Sequence, residues 1–250
     1  MSSWVFDGRR ESIDRLRGHE VPSAHRQLEA VLDTAAGTEE TRPSRLDGWT
    51  LGHLVAHLRL NAESHIRVLV AARSGQLVDQ YPGGSPGRAE AIERNSTRPF
   101  SDLVEGLCRA HIELEHVWDS LSAVDWHRPT QMRAGHRPAF VSLWARWRET
   151  CLHTVDLDLG YTSDRWSEAF STAALDVNIG GLELRPLSER LEQGVVVQLS
   201  NGPRTWTSQP DRPATHHASG RAQSLLGWIV QRPAVDAPVW DTEPGLDPWP

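Results

Sequence analysis

DGWTLGHLVAHL, residues 47–58, places a turn signal (Asp47, Gly48) and a candidate cap directly ahead of apolar residues that recur every three or four positions. That pattern predicts a long amphipathic helix. The helix continues through RLNAESHIRVLVAAR and ends at Gly75, with Asp47 or Thr50 as its cap. His53 and His57 lie four apart on it and share a face. The spacing alone leaves three readings open: two metal ligands, one ligand and a neighbour, or two core histidines.

The same periodicity extends outward from this segment. SDLVEGLCRAHIELEHVWDSL (101–121) reads as a helix capped by Ser101 or Asp102, and AFVSLWARWRETCLHTVDLDLG (139–160) as another that stops at Gly160. An N-terminal helix over about 11–35, interrupted or kinked near Pro22, completes a four-helix bundle. QYPGGSPG (80–87) reads as a loop, and DWHRPTQMRAGHRP (125–138) is too polar and too broken by proline to be helical. The character changes near residue 164. A helical segment (about 166–190) precedes two strands, GVVVQLSN and RTWTSQ, joined by a tight turn at Asn201 and Gly202. The helix GRAQSLLGWIVQR follows, then a Pro-rich irregular tail; the His216–His217 pair reads as part of a solvated loop. The expected fold is mainly α: a four-helix bundle over 1–163, then a small α+β domain over 164–250.

The 250 residues allow one large domain or two modest ones. A net charge of -7 without a Lys/Arg cluster argues against nucleic-acid binding. The apolar runs are too short for a membrane span and the charged N-terminus does not read as a signal peptide, so a cytoplasmic protein is expected. Cys108 and Cys151 form neither a CxxC motif nor a disulfide framework, and Cys151 reads as a core thiol. Trp144 and Trp147 read as packing residues.

Glu149 and His153 repeat the four-residue spacing on the last bundle helix. Either pair alone is weak, because helical pairs of this kind arise by chance. Together they point two helices' donors at one place, and a carboxylate on a core-facing stripe needs a counter-charge. Two imidazoles and a carboxylate suit Zn²⁺ with an open coordination position.

LDGWTLGHLVAHLRLNAES (46–64), YPGGSPGRAEAIERNS (81–96), RETCLHTVDL (148–157) and SGRAQSLLGWIVQRP (219–233) together resemble the mycothiol-dependent maleylpyruvate isomerases, in order along the whole chain. The resemblance implies a DinB-like metal-binding bundle. It places one ligand eight residues after Trp49, on His57, with Glu149 and His153 as the others, and leaves His53 a supporting or structural role. Asp156, three residues after His153, reads either as a carboxylate that orients this imidazole or as a plain surface residue. Arg232 matches the family's catalytic arginine, although Gln231 stands where the family usually has glycine; Asn61 and Arg88 are candidates for contact with substrate or thiol, and Arg88 resembles a recurrent family arginine. The implied cofactors are Zn²⁺ or another divalent metal, and mycothiol. The implied reaction is cis to trans isomerisation of maleylpyruvate to fumarylpyruvate, a small dicarboxylate, by reversible thiolate addition. A mycothiol S-transferase acting on another electrophile and a non-catalytic metal-sensing bundle are the alternatives. A monomer or small homo-oligomer without nucleic-acid or membrane partners is expected.

Overall fold

The computed structural model describes residues 8–35, 37–179 and 187–248. It divides into two units, with the boundary between Leu159 and Gly160. The larger unit begins with α1 (Arg10–Arg15), a π-helical turn (Leu16–Glu20) and α2 (Val21–Asp33). The kink expected near Pro22 takes this widened form: proline has no N–H to return to the carbonyl four residues back, and the chain relaxes into the wider turn just ahead of it.

Four long helices form the bundle: α2, α3 (Leu51–Arg73), α5 (Phe100–Ser120) and α6 (Val141–Asp156). Between α3 and α5 lies α4 (Gly84–Ser96). In the bundle α3 packs on α5 and α6, and α2 closes the ring against the same two helices. Leu28, Leu54, Leu58, Leu107, Leu114, Leu143 and Trp147 fill its centre. Each fully buried leucine contributes about 2 kcal/mol of hydrophobic stabilisation.

The start of α3 answers part of the question its sequence posed. Thr50 is the cap: its hydroxyl accepts from the His53 backbone N–H at 3.4 Å, while the Thr50 N–H donates to His53 Nδ1 at 3.3 Å. This is a reciprocal capping box in which histidine takes the place usual for Glu or Gln. The other ring nitrogen of His53 faces Glu93 at 3.3 Å. Thr50→Ala is therefore expected to cost about 1 kcal/mol of stability, read as a lower midpoint in urea unfolding.

Residues 80–87 are not all loop, because α4 already begins at Gly84. Only Ile92 and Ser96 of this polar helix are buried, so it has too little apolar periodicity to stand out. It packs on α3, where a Cβ at Gly52 would lie 2.0 Å from the Ser96 carbonyl oxygen. The close approach of the two helices requires glycine there. The segment 125–138, read as non-helical, opens with one 3-10 turn (Asp125–His127), and only then β1 (Pro129–Met132) pairs with β2 (Gly135–Pro138) in a hairpin ahead of α6.

The smaller unit holds α7 (Glu168–Ile179), α8 (Leu187–Arg190) and a four-stranded sheet. Residues 180–186 of the helical segment expected over 166–190 lie outside the described residues. The sheet comprises β3 (Val197–Asn201), β4 (Arg204–Thr207), β5 (His216–Ser219) and β6 (Val239–Trp240) in the order β4-β3-β5-β6, with β3 and β5 parallel. The turn at Asn201 and Gly202 joins β3 to β4 as expected. The two histidines read as loop instead open β5, where Asp241 accepts from the His217 N–H at 2.9 Å and faces its ring Nδ1 at 3.0 Å. The tail read as irregular supplies β6. Helix α9 (Ala222–Ile229) packs on α7. No helix among the described residues is long and apolar enough to cross a membrane.

Candidate metal centre

Helix α3 carries His57 and Asn61, and α6 carries Glu149, His153 and Asp156. One donor atom each from His57, Glu149 and His153 lies within 4.8 Å of the others. His57 Nε2 is 2.9 Å and His153 Nε2 is 3.4 Å from the same Glu149 oxygen, Oε2, and the two rings meet edge to face with centroids 5.0 Å apart. Donors about 2.05 Å from a tetrahedral Zn²⁺ would stand roughly 3.3 Å from one another, so the three residues fit such an ion with little rearrangement. The donor set is also the right one chemically. Two nitrogens and one carboxylate leave a fourth position for an exogenous ligand.

Each of the three is held from behind. Asp156, buried rather than at the surface, places Oδ2 2.9 Å from His153 Nδ1, which fixes that ring with Nε2 toward Glu149. Arg88, on α4, donates to His57 Nδ1 at 3.0 Å. Trp49 stands edge-on to the His57 ring at 5.6 Å, and Arg148 lies 3.6 Å from the second Glu149 oxygen. Burial opposes ionisation of Glu149, but the hydrogen bonds from His153 and His57 override it and hold the carboxyl well below its ordinary range. Burial pushes His57 down to about 4 against the pull of Glu149, so its imidazole is neutral at pH 7. For His153 burial acts downward as well, yet the bonds to Asp156 and Glu149 outweigh it and raise the group. The thiol of Cys151, buried in the core, is driven well above its ordinary value, which leaves it protonated and unsuited to ligation.

Arg88 also lines a groove of about 490 Å³ together with Ser64, Arg67, Gln80, Tyr81 and Arg94. Asn61 does not face that groove as a free amide. It is buried, its Oδ1 accepts from Arg146 at 2.8 Å, and its Nδ2 lies 3.5 Å from the Tyr81 hydroxyl. His53 stands apart from the triad, occupied by the cap of α3.

Arg232 belongs to the smaller unit, at the C-terminal end of α9. Its N–H donates to the Gly227 carbonyl at 2.9 Å and the Gln231 N–H to that of Trp228 at 3.2 Å, which together make a Schellman cap. Gln231 occupies the left-handed position of that cap, with φ of +52°. The usual glycine would spare about 1 kcal/mol there, and the Gln231 side chain offsets some of this by donating to the Leu246 carbonyl at 3.3 Å. The Arg232 guanidinium donates to the Val230 carbonyl at 2.6 Å.

Two sets of residues here were not singled out from sequence. In the sequence Trp49 marks only the spacing to His57. Arg146 and the histidines bonded to it, His25 and His111, sit on the inward stripes of their helices, and that position was the available signal.

Four helices around a triad of two imidazoles and a carboxylate, followed by a small α+β unit, define a bundle protein with a candidate divalent-metal centre. Residues 21–158 match the model of the mycothiol maleylpyruvate isomerase N-terminal domain. The chain belongs to that family. A crystal structure of a mycothiol-dependent maleylpyruvate isomerase superposes with a TM-score of 0.80 at 20% identity, covering 95% of this chain and 97% of the other. A structure of a histidine-to-alanine mutant of such an isomerase matches with a TM-score of 0.79 at the same identity and coverage. No curated protein matches the chain.

Proposed function

We propose that the protein is a metal-dependent, mycothiol-dependent isomerase that converts maleylpyruvate to fumarylpyruvate, with His57, Glu149 and His153 as metal ligands. The observation that carries this reading is the convergence of those three donors from two helices onto one point, in a chain of this family. When bound, a divalent cation with a thiol at its open position favours the thiolate, whose reversible addition to a cis double bond leaves a single bond free to rotate.

The protein's own groups account for the rest. Ionised Glu149 presents its lone pairs without first losing a proton, while neutral His57, whose Nδ1 accepts from Arg88, carries its proton on Nε2 toward Glu149 and would release it on ligation. Asp156 takes up the far side of His153, a recurrent arrangement behind ligating histidines. Arg88, beside His57 and on the wall of the groove, is a cation that a carboxylate or a thiol's polar part would meet. Arg232 is assigned to the developing enolate and the substrate carboxylates, for which a planar guanidinium is the matching donor.

Metal analysis of the purified protein, followed by maleylpyruvate consumption with and without mycothiol, tests the reading. Stoichiometric metal and conversion that requires mycothiol support it. Metal without conversion keeps the centre and moves the reaction to S-transfer onto another electrophile; protein that takes up no metal overturns the mechanism. Asp156→Asn is expected to weaken metal affinity about 10- to 100-fold while the fold persists, measured by competition with a chromogenic chelator.

A further inference from the structure

Beneath the triad, in the centre of the bundle, lies a polar cluster that the proposed chemistry does not use. Arg146 is fully buried on α6. Its Nη1 donates to the Leu58 carbonyl at 2.9 Å and to Asn61 Oδ1 at 2.8 Å, both on α3. Its Nε donates to His25 Nε2 on α2 at 3.2 Å, and its Nη2 to His111 Nε2 on α5 at 2.7 Å. One guanidinium thus joins all four helices of the bundle. The two imidazoles stack in parallel with centroids 3.8 Å apart, and their outer nitrogens face carboxylates, Glu115 at 2.7 Å from His25 and Glu29 at 2.6 Å from His111.

The protonation pattern is self-consistent. Burial lowers His25 well below its ordinary value and brings His111 to about 4, so both rings are neutral at pH 7. Each then carries its proton on Nδ1, toward the carboxylate, and offers the Nε2 lone pair to the arginine. A buried cation with every contact satisfied costs far less than an unpaired one, and its bonds reach across the bundle where apolar contacts alone would let helices slide.

The position of Arg146 matters more than its burial. It lies three residues before Glu149 and seven before His153, on the same face of α6. On α3 it grips the carbonyl of Leu58, the residue after His57, and the side chain of Asn61, one turn further on. The two helices that carry the triad are therefore pinned to each other within a turn of it.

We propose that Arg146 is a positioning residue for the metal centre: its guanidinium fixes α3 against α6 and so sets the separation of His57 from Glu149 and His153. This rests on the triad being the metal site. Coordination geometry must be held to within about 0.5 Å, and hydrogen bonds to a backbone carbonyl give that precision. In this arrangement Asn61 acts through Arg146.

Cobalt(II) binding to the full chain tests the assignment, because both its affinity and its visible absorption report the arrangement of the ligands. Arg146→Lys, whose single nitrogen cannot span four acceptors on three helices, is expected to bind Co²⁺ about 10- to 100-fold more weakly and with shifted absorption bands. Asn61→Ala, which removes one acceptor and leaves the guanidinium in place, should weaken binding roughly 3- to 10-fold, the lower part of the effect expected for supporting residues. Leu103→Ala, a core truncation on α5 two turns from His111, controls for lost stability and should leave affinity and spectrum unchanged. If Arg146→Lys does not fold, Asn61→Ala decides. Wild-type cobalt affinity and spectrum in Arg146→Lys, or in Asn61→Ala where Arg146→Lys does not fold, would reduce Arg146 to a structural role and overturn the proposal. Wild-type protein that binds no cobalt would instead remove the metal centre, and the proposal with it.

Discussion

His57→Ala is expected to yield folded protein that retains no metal through purification and has no isomerase activity, whereas His53→Ala should retain both. The two residues are one helical turn apart and identical in chemistry, but their nitrogens are committed differently. His57 Nε2 meets the Glu149 oxygen that also faces His153. His53 Nδ1 serves the cap of α3 and its Nε2 faces Glu93 at the surface. Removing a ligand should exceed the about 100-fold loss that marks the upper end for groups standing behind ligands. Removing His53 should cost about 1 kcal/mol of helix capping, with metal stoichiometry unchanged. Elemental analysis and urea unfolding of the two variants read these outcomes. Metal-free His53→Ala beside metal-loaded His57→Ala would reverse the assignment.

Arg232→Lys should keep full metal content and lose at least about 100-fold in kcat/KM, the scale of deleting one donor to developing negative charge. The backbone of residue 232 closes the cap of α9 through its own N–H, a contact that lysine preserves. The fold of the smaller unit is thus expected to survive, with unfolding shifted by no more than about 3 kcal/mol, the upper scale for losing a charge-assisted hydrogen bond such as that to the Val230 carbonyl. The substitution isolates the planar, five-donor guanidinium, which engages a carboxylate with two parallel bonds where an ammonium offers a point charge. Unchanged kcat/KM would remove Arg232 from the reaction.

The four bundle helices were legible because each buries one stripe, and the stripe writes a period of three to four into the chain. Helix α4 was not, since only Ile92 and Ser96 face inward and its start overlaps a Pro/Gly cluster. The strand at His216 and His217 was missed for a related reason. Four polar or small residues show no alternation, and what holds them is pairing with β3 and with the distant residues Val239 and Trp240. At the site, spacing brought the two histidine-bearing pairs into view, but it could not separate His53 from His57. That distinction lies in the cap, where Thr50 engages one ring and leaves the other for the interior. Arg146 was the least legible residue of all. Its partners His25 and Asn61 lie 121 and 85 residues away, and an arginine on a buried stripe reads locally as an interruption.

The placement of Trp49 has a practical use. Its indole rests against the His57 ring at 5.6 Å, within reach of any change in what that ring holds. An open-shell ion such as Cu²⁺ bound there would drain the excited state of this indole, and Trp49→Phe would identify its share of the emission among the chain's 11 tryptophans. The molecule carries its own optical gauge of site occupancy, readable in a cuvette without a label.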